Sequence, residues 1–199
     1  MPTVAIDFPC RGSISVQSNN SEGMDALMRY VLERGHRRVA YIHGEAALVT
    51  DDRISSYRRQ LQAFGIPFRP EYLVESAYHN PAAARQATQR LLDLPEPPTC
   101  ILMPDDYASL GGMEAIRERG LAVPGDISVA GYDGVPLLQL CSPCLTTYRQ
   151  NVEGIGSEAG RRLLELIKHP DAPAPETITI PGGIIPGGSV LDLNAKASH

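Results

Sequence analysis

Four apolar runs in this chain are each followed, where an extended segment should stop, by residues capable of polar chemistry. "RRVAYIHG" leads through a polar loop to Arg53, "EYLVESAY" ends at Tyr78, "TCILMP" runs into Asp105 and Asp106, and "DISVAGY" runs into Asp133. A carboxylate or a guanidinium can hold two groups of a ligand at once, and an aromatic ring can cover an apolar face. Ligands of open parallel sheets bind beyond the carboxyl ends of the strands, so these residues are expected on one rim. Asp51 or Asp52 reads as the N-cap of the next helix, which would put Arg53 in its first turn, opposing the helix dipole by about 0.3–1 kcal/mol. Each residue also has a plain structural reading. Asp51 and Asp52 can offset Arg53, Asp106 can cap a helix, Asp133-Gly134 is a turn dipeptide, and Tyr78 can be core. As a set on one rim they favour recognition of a small molecule.

The sequence holds no phosphate-binding loop, dinucleotide fingerprint, nucleophile elbow or zinc-protease motif, so neither enzyme activity nor a cofactor is expected. Among the four cysteines, Cys141 and Cys144 form one C-x-x-C. A structural zinc site would need a second pair or nearby histidines. A redox pair would open a helix, whereas "LTTYRQ" reads as a strand, so these cysteines are read as small apolar residues. His36 marks a helix-to-strand crossover rather than a catalytic base.

The elements that must position the rim alternate in type. "NSEGMDALMRYVLERG", "DDRISSYRRQLQAFG", "PAAARQATQRLLDL", "DYASLGGMEAIRERG" and "VEGIGSEAGRRLLELIKH" carry helical apolar spacing, and three of them stop at Gly35, Gly65 and Gly120. The runs between them, with "TITIPG" and "SVLDL" near the end, read as strands; "DAPAPE" reads as a linker and "NAKASH" as a frayed tail. Strands separated by helices of about a dozen residues need right-handed crossovers, hence a parallel sheet and an α/β fold.

A chain of 199 residues is long enough to bury roughly 70% of its unfolded surface. Its net charge is −5, and its 18 lysines and arginines are scattered, so this chain by itself offers no stripe for DNA phosphates. No apolar window of about 18 residues could span a bilayer, and "MPTVAIDFPCRG" lacks the pattern of a signal peptide. A cytoplasmic location without membrane contact is expected.

Three stretches, "GHRRVAYIHG", "PPTCILMPDDYASLGGMEAIRERGLAVPGDISVAGYDG" and "PLLQLCSPCLTTYRQNVEGIGSEAGRRLLELI", closely resemble the effector-binding core of LacI/GalR-type bacterial transcription regulators, over about residues 4–190. The resemblance implies a periplasmic-binding-protein-like fold of two α/β subdomains. A partial N-terminal subdomain would take residues 1–36 and 149–181, a complete C-terminal subdomain 37–148 and 182–191, and a tail 192–199. It also implies that the family's helix-turn-helix headpiece and first βαβαβ stretch lie outside this chain, that operator DNA is reached only through that headpiece, and that the protein pairs as a homodimer.

Carried over position by position, Arg53 matches the arginine of an R-x-x-G-aromatic motif in which Ser56 replaces the glycine. Tyr78 matches a stacking aromatic, Asp133 the acid of "GYD", Asp105 a position usually held by Asn, and Gln150 the glutamine after "LTT"; Asn19 and Asn20 fall where the family often has Asp-Asn. Asp133, Arg53 and Tyr78 then suit a sugar or sugar derivative ahead of a nucleobase-like ligand, with Asp133 facing Arg53 across a solvent-filled hollow. Asp105→Asn should change ligand selectivity more than stability. A rival reading is a transport-type sugar-binding protein of the same architecture, against which the missing signal peptide speaks.

Overall fold

The structure is a computed structural model that describes residues 2–8, 10, 12–169 and 177–196. Its strands are β1 (Val4–Ile6), β2 (Ile14–Ser18), β3 (Val39–His43), β4 (Leu73–Glu75), β5 (Cys100–Leu102), β6 (Ser128–Asp133), β7 (Thr146–Arg149), β8 (Thr177–Ile180) and β9 (Gly183–Ile185). Its helices are α1 (Asn20–Glu33), α2 (Leu48–Ala63), α3 (Pro81–Leu92), α4 (Asp106–Glu118), α5 (Val152–Lys168) and α6 (Leu193–Lys196), with 3-10 turns at Pro70–Tyr72 and Pro136–Leu140.

Two units are present: Met1–Asn19 with Gln150–Gly183, and Asn20–Arg149 with Ile184–His199. In the first, β1, β2 and β8 pair in parallel in the order β1-β2-β8. Ile155 and Ala159 of α5 pack on Ile14 and Val16. In the second, the order is β4-β3-β5-β6-β7-β9, with the contacts from β4 through β7 parallel. Strand periodicity sorts the core. Val39, Tyr41, Cys100, Leu102, Ala130 and Tyr132 face α1 and α2, while Ala40, Ile42, Ile101, Met103 and Val129 face α3 and α4. The α/β reading therefore stands, with the parallel sheet expected from the helix spacing.

The structure departs from the sequence expectations in several places. Helix α1 packs with the second unit, so the boundary falls at 19/20 and not 36/37: its stripe of Met24, Leu27, Met28, Val31 and Leu32 is buried with Tyr41, Tyr57 and Tyr148. Helix α2 starts at Leu48 after Ala47, which offers no side-chain cap, so neither Asp51 nor Asp52 is the N-cap. "EYLVESAY" is a strand only over Leu73–Glu75, and the last strand is Gly183–Ile185 rather than "SVLDL". The supposed tail is docked over its described residues. Leu193 N–H donates to Arg34 O at 2.8 Å and Asn194 Nδ2 to Glu33 O at 2.8 Å, supplying donors to carbonyls at the end of α1. The linker "DAPAPE" and residues 197–199 lie outside the described residues.

Buried His36 sits at the crossover from α1 to β3, bridging Thr99 Oγ1 (3.0 Å) and Leu191 O (3.1 Å). A carbonyl only accepts, so Nε2 carries the proton. Burial holds the imidazole below its ordinary pKa, in keeping with a neutral structural role.

Helix α4 begins with two fully buried aspartates that fasten the carboxyl ends of three strands. Asp105 is the N-cap, one residue before the expected Asp106: its Oδ1 accepts from Ala108 N at 2.8 Å and its Oδ2 from His79 N at 2.7 Å. Asp106 accepts from Thr147 Oγ1 and from Val135 N, both at 2.6 Å, and so ties α4 to β7 and to the loop after β6. Farther along α4, Gly111 lies so close to the start of α3 that a Cβ would fall on the Pro81 carbonyl. This explains why a good helical pattern tolerates a glycine there.

Two outcomes follow. Gly111→Ala should lower stability by about 1–3 kcal/mol by urea unfolding, since overpacking against a backbone carbonyl exceeds the helix-propensity gain of about 1 kcal/mol. Burial pushes Asp106 up to about 6, so the folded chain keeps a proton that the unfolded chain releases. Stability should therefore fall, by on the order of 1–3 kcal/mol, as pH rises from about 4 to about 6, and then level off. Unfolding curves of Asp106→Asn should lack that component of the slope.

Candidate functional site

The chain passes from β3 to β4 on one side and from β4 back to β5 on the other, so the sheet reverses its order between β3 and β5. Loops diverge at such a point and leave room for a ligand at the carboxyl ends of the strands. Arg53 is delivered there by α2. It is the sixth residue of that helix, in the second turn, so the expected conflict with the dipole does not arise.

Arg53 is only 4% exposed. Nε and one terminal nitrogen donate to Asn20 Oδ1 at 3.1 and 2.9 Å, and the other terminal nitrogen donates to Pro104 O at 2.9 Å, just past β5. Its Cζ lies 3.5 Å from the centroid of the Tyr132 ring in β6, a cation–π contact. Burial opposes the charge, but Tyr132, Tyr41, Tyr78 and Asp133 outweigh it and leave the pKa above its ordinary value. These bonds use three of the five guanidinium hydrogens.

Asp133 is the last residue of β6, directly after the tyrosine under Arg53, and its backbone has φ +114°. That region is unfavourable for any side chain with a Cβ, costs of order 1–3 kcal/mol, and persists where the surroundings enforce it. Here the surroundings are Asp106, which holds the amide of Val135, and the pairing of Asp133 with Arg149 across β6 and β7. The expectation that Arg53 faces a solvent-filled hollow is not met, because its side chain is buried. Arg53 is interior and stacked, and Asp133 acts on it from the neighbouring position in the strand.

Tyr78 lies in the loop after β4. Its ring lies against Gly44, where a Cβ would collide with it, and its hydroxyl is 2.9 Å from Thr50 Oγ1. Thr50 gives its own proton to Glu45 O at 2.7 Å, so Tyr78 is the donor of that pair. The Tyr78 amide donates to Glu45 Oε2 at 3.0 Å, a bond that holds the Glu45 carboxyl below its ordinary pKa. Thus β3, α2 and the loop after β4 fix one aromatic face beside Arg53.

Asp105 departs most from its expected role. Both of its oxygens are taken by backbone amides and it is 1% exposed, so it shapes the rim by fixing His79, whose backbone has φ +53°. Gln150 and Asn19 fall in the first unit, while Asn20, Arg53, Tyr78, Asp105 and Asp133 share the second. Sequence reasoning passed over Tyr132, Thr50, Glu45 and His79. Only Tyr132 left a signal, as the residue before an acid at a strand end.

The chain matches the profile of the periplasmic binding protein-like domain over residues 28–190. It is 36% identical over 169 residues to the probable HTH-type transcriptional repressor ExuR of Bacillus subtilis, covering 84% of this chain and 50% of that protein. It is 36% identical over 166 residues to the HTH-type transcriptional repressor CytR of Escherichia coli, covering 83% of this chain and 45% of that one. The chain thus spans about half the length of the curated relatives it matches. Among solved structures, a transcriptional regulator LacI from Bacillus cereus subsp. cytotoxis superposes with TM-score 0.89 at 27% identity, over 96% of this chain and 68% of that one. A LacI family regulator from Enterococcus faecalis with bound ribose superposes with TM-score 0.85 at 25% identity, over 96% and 69% of the two chains. Among the described residues, no helix is long and apolar enough to cross a membrane. A doubly wound sheet with a buried arginine at its switch point, a profile match over most of the chain and repressors as relatives together make this chain a member of the LacI/GalR family, within its periplasmic-binding-protein-like core.

Proposed function

We propose that this chain is the effector-binding core of a bacterial transcription regulator, and that its rim recognises a sugar or sugar derivative through Arg53, Tyr78 and Asp133. The observation that carries this reading is Arg53: a guanidinium taken out of water at the switch point of the sheet, laid on Tyr132 and bonded to Asn20 and Pro104. A sugar hydroxyl can accept from a guanidinium and donate to a carboxylate, while Tyr78 covers the ring face. The ribose held by the Enterococcus faecalis neighbour supports this ligand class. Gln150 joins the set by resemblance to the family, and Asp105 acts by placing His79.

In the whole protein, in the cytoplasm, effector binding would shift the balance between two arrangements of the core and so change how paired headpieces meet operator DNA. Homodimer formation fits the side chains of Leu110, Leu137 and Leu140, which are exposed on α4 and the Pro136–Leu140 turn. Because the relatives are repressors, the transport reading is not favoured.

Calorimetric titration with ribose and a panel of monosaccharides should find at least one saturable ligand. Its affinity should fall at least tenfold in Asp133→Asn and in Arg53→Lys, because an ammonium cannot replace a fork already shared between two acceptors. Lack of binding across the panel, or unchanged affinity in both variants, would overturn the reading. Sedimentation velocity should show a dimer that Leu140→Glu dissociates.

A further inference from the structure

The amino ends of the same strands carry a second concavity. A cavity of about 290 Å³ opens there, lined by Val39 at the start of β3, Tyr57 and Leu61 of α2, Ile66 and Pro67 after that helix, and Tyr72 before β4, with Arg37, Arg38 and Arg69 at its edge. The rim of the proposed effector site lies beyond the opposite ends of β3 and β5. The five residues of β3 alone set the two apart by roughly 13–17 Å.

The chemistry of this cavity is split between floor and edge. Tyr57 and Tyr72 are buried beneath it, and their hydroxyls donate to Val39 O at 2.8 Å and Glu96 O at 2.7 Å, so neither hydroxyl is left for an occupant. The edge is cationic. Arg37 donates through one terminal nitrogen to Leu32 O and His36 O, and Arg38 through Nε to Pro97 O, bonds that hold each stem in place while the rest of each guanidinium stands at the surface. Arg69 pairs with Glu96 and reaches Tyr72 Oη at 3.4 Å. The charged lining residues are these three arginines, with Arg69 paired to Glu96, over a mostly apolar floor.

We propose that this cavity is a second binding site, for a small organic anion: an apolar ring or branched body carrying one carboxylate or phosphate. A planar guanidinium matches either oxyanion, and the floor takes up a body of that size. A sugar fits poorly, because the floor offers no free polar partners for its hydroxyls. The site does not depend on the effector reading, since no residue is shared between them.

The test is a titration of the isotopically labelled chain with benzoate and with phenyl phosphate, using phenol and inorganic phosphate as the separate halves. Saturable shifts should appear at Val39, Leu61, Ile66 and the two tyrosines, with dissociation constants on the order of 0.1–1 mM for whichever oxyanion is preferred. Each half alone should bind at least tenfold more weakly. Arg38→Gln, at an exposed position, should weaken binding about tenfold; Ile66→Glu should abolish it; and Arg53→Lys should leave it unchanged. Thermal unfolding of each variant reports whether the fold is kept. No saturable shift at these residues, or equal affinity in Arg38→Gln and the parent, would overturn the proposal.

Discussion

The buried guanidinium of Arg53 is the contact on which the rest of the rim depends. It joins Asn20 at the start of α1, Pro104 at the end of β5 and the Tyr132 ring of β6, three segments far apart in sequence. An unpaired charge in such a place would cost several kcal/mol, so the fold must bring those three partners together for the arginine to be tolerated at all. The same requirement preorganises the site. Once the stem and the fork are fixed, the partners around them have little freedom left to lose.

Around this anchor, polar residues that a sequence reader would assign to ligand contact divide their labour. Asp105 and Asp106 are adjacent and chemically identical, yet both are consumed by backbone and threonine donors. Their task is geometric: one sets the loop carrying Tyr78 and His79, the other the turn after Asp133. Strain at Asp133 and His79, both at positive φ, is localised where these two carboxylates hold the chain. Such strain is paid for by hydrogen bonds between elements and leaves the rim stiff without a ligand present.

The two ends of the sheet in the second unit differ in kind. The carboxyl ends mix an arginine, tyrosines and acids, which suits an uncharged ligand with many hydroxyls. The amino ends set arginines over a plain apolar floor. Helix α2 reaches both, with Arg53 near its start and Leu61 near its end, and Tyr57 between them packs at a tilt against Tyr41, ring centroids 5.7 Å apart.

By itself the sequence determined the α/β class, the alternation of strand and helix, the helix stops at Gly35, Gly65 and Gly120, and the family. These are local or patterned properties: apolar period, left-handed caps, and motifs read in order. It also placed Asp105 and Asp133 at a helix start and a strand end, because a strand end is where polar residues interrupt an apolar run. Only the tertiary structure decided what each does there. Asp105 and Asp106 carry the same carboxyl group, and a one-residue change in where α4 begins exchanges a cap for a clamp. Helix α1 went to the second unit because its apolar stripe finds Tyr41, Tyr57 and Tyr148, partners that no local pattern announces. Arg53 turned out to be interior because its acceptors come from residues 33 and 51 positions away, and long-range pairing of that kind is settled by packing rather than by neighbours in the chain.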